Sequence, residues 1–125
     1  MNAWDDLPNG KRIDAVLAHY KAHPDRWSAA YLALTIPEAS REAAWVAAVD
    51  SLRDAIWGAA WNAASTSPRF AAREAACFAA RALVAWDEAG DMLDMSVEEV
   101  QALAMVGIHA AVLLLPAAIA MNERM

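Results

Sequence analysis

In 59-AAWNAASTSPRFAAREAACFAARALVAWDEA-89 alanine comes in pairs every four residues, at 59–60 and 63–64 before a break and at 71–72, 75–76 and 79–80 after it. The break, Ser65-Thr66-Ser67-Pro68, sets three small hydroxyl residues before a proline, which is the composition of a turn followed by a helix start. Alanine is the strongest helix former and carries no bulk beyond Cβ, so two such helices can bring their backbones close. A four-residue period against 3.6 residues per turn makes the alanine stripe drift slowly round each helix. The pattern predicts a long antiparallel hairpin, with one helix over 38–64 and the next over 68–89, each wrapping the other. Phe78 and Trp86 fall on one side and fill what alanine leaves open.

The flanks read as helices too. Ile13, Val16, Leu17 and Tyr20 share one face of a helix from Gly10 to Ala22, with Asn9 as its cap. His23-Pro24 stops it, and Pro24 opens a short helix with Trp27, Ala30, Tyr31 and Leu34 on its apolar side. On the 38–64 helix, Trp45, Val49, Leu52 and Ile56 form one stripe. Trp57 and Trp61 lie off it, beside Asp50, Arg53 and Asp54, which gives this helix a second apolar face ringed with charge. Gly90 takes the helix-ending position after residue 89. Ser96-Val97-Glu98-Glu99 is a capping box. A break near 107–109 separates a helix from 97 and a last one over about His109 to Asn122. With 59% apolar residues, few turn formers (Gly 4, Pro 5) and no run alternating at period two, the chain is expected to be all-α. The architecture that follows is a single-domain bundle of five or six helices over residues 1–125, built around the hairpin.

Charge and cysteine narrow the setting. Residues 1–41 hold five bases and five acids, residues 42–83 four and four, and residues 84–125 one base and seven acids, so the net −6 comes from the last third. No basic stripe exists, and direct nucleic-acid binding is not expected. The one cysteine, Cys77, forms no internal disulfide, and 1-MNAWDDLPNGKR-12 has no apolar core of a signal peptide, which suits a cytoplasmic location. Residues 103–121 carry no formal charge over nineteen positions, but Gly107, His109 and Pro116 interrupt them, and two buried core helices are expected there instead of a membrane span.

The acidic segment offers the first candidate chemistry. Asp87, Glu88, Asp91, Asp94, Glu98 and Glu99 lie within thirteen residues. On one continuous helix Asp87, Asp91 and Asp94 would share a face and could hold Mg²⁺. Glu88-x-x-Asp91 is similar to half of the metal site of the all-helical nucleotide pyrophosphohydrolases of the MazG kind. The other half, Glu-x-x-Glu on an earlier helix, is missing: Glu38/Glu42 and Asp50/Asp54 are each spaced by four. Caps and helix-terminal charge account for the same acids without a missing partner, so no metal or other cofactor is required. His19 and His23 are i, i+4 with no acid of a zinc motif between them, and His109 stands in an apolar run. Cys77 among alanines is a structural thiol. Trp57 and Trp61, with Asp50 and Asp54 beside them, are candidates for an exposed contact patch, the alternative being that this face packs on the helices of residues 97–121.

Four segments carry a resemblance. 7-LPNGKRID-14, the Ala/Trp repeats, 82-ALVAWDEAGDMLD-94 and 111-AVLLLPAAIA-120 are similar to small Ala-rich helical proteins of tailed phages and prophages, in which tetrapeptide repeats stand between similar ends. Here the repeats are degenerate, with Trp45, Trp57 and Trp61 irregularly placed. The resemblance implies a setting, a phage protein in the host cytoplasm, and no mechanism. The leading expectation is an accessory protein that binds a host or phage protein, for instance inhibiting a host-defence component through an acidic surface at Asp87, Glu88, Asp91 and Asp94. A metal-dependent nucleotide pyrophosphohydrolase on Glu88 and Asp91, and a self-assembling structural protein with copies of itself as partners, are the alternatives.

Overall fold

Leucine and alanine on every side of a helix leave it no face for water, and two helices of this chain have that character. In the computed structural model, which describes residues 3–51 and 53–122, they are α5 (Phe70–Ala85) and α7 (His109–Met121). Residues 75–85 of α5 and 110–117 of α7 are buried without interruption. Around this pair lie α1 (Gly10–Ala22), α2 (Pro24–Leu32), α3 (Glu38–Ala47), α4 (Asp54–Ala64) and α6 (Val97–Met105). Short 3-10 segments over Val49–Ser51 and Asp87–Asp94 complete the order. α5 packs against α2, α7, α4 and α1, while α7 takes α6, α3 and α2. All described regular structure is helical, and the buried apolar residues form one core that draws on every α-helix.

The local signals act as expected in several places. Ile13, Val16, Leu17 and Tyr20 are the buried face of α1. Pro24 opens α2, which buries Trp27 and Ala30. Ser96 accepts from the Glu99 backbone N–H at 3.1 Å while the Glu99 carboxylate takes the Ser96 N–H at 3.2 Å, the full capping box of α6. The break after α6 falls at Gly107, whose φ of +87° suits glycine. Its N–H donates to Ala104 O and that of Ile108 to Leu103 O, two bonds that close the helix end. Among the described residues no helix is long and apolar enough to cross a membrane.

Three expectations are corrected. The helix predicted over 38–64 is two helices, interrupted from Ala48 to Arg53, so seven α-helices replace the expected five or six among the described residues. A single helix there would run about 40 Å, beyond the roughly 30 Å width of a small domain. Broken, its halves reach different partners: α3 lies on α7 and α4 on α5. Arg53 is extended and donates to Val84 O at 2.6 Å, satisfying a terminal carbonyl of α5. Only α4 is left to pair with α5, Val49 is exposed rather than part of a buried stripe, and Leu52 lies outside the described residues.

Second, the helix over 68–89 ends at Ala85, and Trp86 is extended. Third, Gly90 does not end a helix. It lies buried in the 3-10 segment, where a Cβ would stand 2.2 Å from Asn9 Oδ1. Asn9 itself occupies the cap position of α1, but its side chain makes no capping bond there. It donates to Leu83 O at 3.0 Å and Trp86 O at 2.9 Å, closing the carbonyl end of α5 instead.

Candidate functional site

The acidic segment is bound into the scaffold. Arg12 on α1 holds Asp94 with two parallel bonds, 2.7 and 2.5 Å. Arg53 stands 3.5 Å from Asp87. Glu99 is spent on the capping box. The segments 7–14 and 82–94 therefore form one junction, through Asn9, Gly90, Arg12 and Asp94. The 3-10 course of residues 87–94 does not give Asp87, Asp91 and Asp94 the shared face of an α-helix, and Glu88 and Asp91 are exposed. Among the described residues no three His, Cys, Asp or Glu side chains gather where they could hold a metal ion. A hollow of about 570 Å³ beside this junction is lined by Arg12, Leu93, Asp94, Val97, Ala118 and Met121, among others.

The Arg12–Asp94 pair sets a pH response. The guanidinium bonds hold the Asp94 carboxyl below its ordinary value. The stability it contributes is therefore present above the ordinary carboxylate range and lost as pH falls through the folded-state value. Wild type is expected to exceed Asp94→Asn by a small margin in urea melts at about pH 7, and the margin is expected to shrink as pH falls below the ordinary carboxylate range. A margin that persists at the acid end would remove the pair from this account.

Of the histidine and cysteine candidates, His19 and Cys77 are taken up by packing, while His23 and His109 are exposed. His19 Nδ1 accepts from the Trp27 indole at 2.9 Å, and its ring lies 4.6 Å from that of His23. Burial pushes the Cys77 thiol up to about 11, which leaves it protonated and unreactive at neutral pH.

The tryptophans form the other candidate. Trp57 and Trp61 stand on α4. They meet Trp45 of α3, with ring centroids 5.6 Å (Trp45–Trp57), 6.5 Å (Trp45–Trp61) and 5.8 Å (Trp57–Trp61) apart. Phe78 of α5 continues the cluster at 5.6 Å from Trp45, and Tyr31 of α2 stands 5.7 Å from Phe78. Most of these pairs are edge-to-face, the favoured arrangement of aromatic quadrupoles. Beneath them lies Arg81, only 5% exposed, its guanidinium 4.0 Å from the Trp45 ring centre and 5.2 Å from that of Trp57. Its Nε donates to Trp45 O at 2.9 Å, and no carboxylate pairs with it among the described residues. The two indole faces take the place of a counterion.

This cluster walls an open groove of about 380 Å³. Tyr31, Trp45, Val46, Trp61 and Phe78 give its apolar surface, and Glu38, Arg41, Glu42 and Glu74 its charge. Trp61 is 40% and Val46 65% exposed, so this surface meets water. Asp50 and Asp54 are also exposed, but neither lines the groove. Trp57 is half-buried behind it. Trp45, Tyr31, Phe78 and the four charges were not singled out from the sequence as site residues. One signal was present: Glu38, Arg41, Glu42 and Trp45 are spaced i, i+3, i+4 and i+7 on one face of α3, as Glu74 and Phe78 are i, i+4 on α5. Trp45 on a predicted core stripe hid it.

The chain matches no protein-family model, no curated protein and no solved structure.

Proposed function

We propose that this chain acts by binding another protein, and that the groove between α2, α3, α4 and α5 is where it does so. The observation that carries this reading is the aromatic cluster left open at Trp61, with Val46 beside it, in a groove rimmed by charge. Leu32, Val49, Phe70, Met95, Met105, Val106 and Ile108 are exposed as well, but none of them lines this groove. Tryptophan and arginine dominate protein interfaces because they bring large area at low entropic cost. Open apolar surface rimmed by polar groups is the usual mark of such a site. The phage setting enters through the sequence resemblance alone, and inhibition of a host-defence component is its narrower form. The acidic end supports that form less well than the groove does, since Asp87 and Asp94 already face Arg53 and Arg12.

The test is affinity capture from a bacterial lysate with wild type and with the double variant Val46→Ser, Trp61→Ser as baits. Val46 is mostly exposed, but Trp61 is part-covered and stands against Trp45 and Trp57, so the variant is expected to melt below wild type by about 2–3 kcal/mol and to keep its helical circular dichroism at the temperature of the capture. A protein held by wild type and lost by this folded variant supports the reading. Identical captures by the two baits count against the groove.

A further inference from the structure

The groove combines two features that meet in cation recognition. Its walls are π faces and edges, Tyr31, Trp45, Trp61 and Phe78, and its rim holds three carboxylates, Glu38, Glu42 and Glu74, against one guanidinium, Arg41. Aromatic surface attracts a cation through the ring quadrupole, and the attraction grows as water is excluded. The chain already uses this chemistry twice within the same cluster. Arg41 stands over Tyr31 at 5.4 Å, and Arg81, which does not line the groove, stacks on Trp45 and Trp57 from within the fold.

We infer that the groove receives a basic segment of a protein partner, with one arginine or lysine head group laid on Trp45, Trp61 and Phe78 and its charge met by Glu38, Glu42 and Glu74. This rests on the protein-binding reading and adds the chemistry of the partner. The three carboxylates outnumber the two guanidinium groups of the cluster, Arg41 at the rim and Arg81 beneath Trp45, and select a cation over a neutral or acidic segment. The aromatic walls prefer the flat, weakly hydrated guanidinium to the ammonium.

The test uses the full chain labelled with 5-fluorotryptophan, each resonance assigned by a Trp→Phe variant. The probes are acetyl-Gly-Arg-Gly-amide and the same peptide with citrulline, which keeps the shape of arginine and lacks its charge. The Trp45 and Trp61 resonances are expected to shift saturably with the arginine peptide, and the citrulline peptide to bind about tenfold more weakly. The triple variant Glu38→Gln, Glu42→Gln, Glu74→Gln, all at the rim, should cost the arginine peptide about tenfold while leaving the fold intact. Equal binding of the two peptides, or no shift up to about 10 mM, overturns the inference. So does a dimer in sedimentation that dissolves in Val46→Ser, Trp61→Ser, which would make a second copy the occupant. None of these outcomes decides the wider reading, because a neutral partner captured through Trp61 would sustain protein binding while removing the cation.

Discussion

Gly90→Ala is expected to destabilise the chain by about 2–4 kcal/mol, although the change adds a single methyl group. That methyl would stand 2.2 Å from Asn9 Oδ1 and 3.1 Å from its Cγ, so the Asn9 side chain has to leave. In ordinary surroundings an amide at the end of a short side chain swings aside cheaply. Here Asn9 is 4% exposed and donates to both Leu83 O and Trp86 O. Moving it strands Leu83 O in the last turn of the most buried helix, worth about 1–3 kcal/mol when left unpaired, and takes one of two donors from Trp86 O, which keeps the Ala89 N–H at 3.1 Å. Asn9→Ala removes the same two bonds and should cost a similar amount. The two changes should not add: once Asn9 is alanine the obstructing oxygen is gone, and Gly90→Ala is expected to cost less than about 1 kcal/mol more. Urea melts of the four proteins measure this. Additive costs would mean that the junction of residues 7–14 and 82–94 is not held by this contact.

Trp45→Ala is expected to cost about 3–4 kcal/mol and to abolish the groove. Part of the loss is area, which is moderate because Trp45 is only half-buried. The rest comes from its neighbours. Three aromatic contacts vanish, and Arg81 loses the face on which its guanidinium lies 4.0 Å from the ring centre. A buried guanidinium with no counterion and only the more distant Trp57 ring, 5.2 Å away, is costly. Arg81→Met keeps much of the volume and removes the charge, so it should fall within about 1 kcal/mol of wild type. In that background Trp45→Ala should cost measurably less than it does alone, since the stranded charge no longer contributes. A Trp45→Ala cost under about 1 kcal/mol, or one unchanged by Arg81→Met, would show that the ring is not what shields Arg81.

How much of this was legible before any coordinates follows the range of the forces involved. Helix starts, stops and buried faces are decided within one or two turns, so the α1 face, Pro24, the Ser96–Glu99 box and the stop near 107–109 could be read directly. The all-helical class follows from the same local terms. The interruption of 38–64 could not be read this way, because alanine propensity favours continuing the helix. What ends it is the separate demand of α7 for α3 and of α5 for α4, together with the Arg53 bond to Val84 O. Asn9 shows the limit most clearly. Local pattern named it the cap of α1, while packing turned its amide onto carbonyls 74 and 77 residues away.

The candidate site divides along the same line. The sequence by itself determined that six carboxylates crowd residues 87–99 and that Trp57 and Trp61 leave the main stripe of their helix. Tertiary structure decided that two of those carboxylates, Asp87 and Asp94, face Arg53 and Arg12. It also decided that the tryptophans of α4 meet Trp45 of α3, which in turn meets Phe78 of α5, over a buried arginine. A helical period records which residues share a face within one element. Which faces meet across elements is set by how the whole chain closes on its core, and no local pattern carries that information.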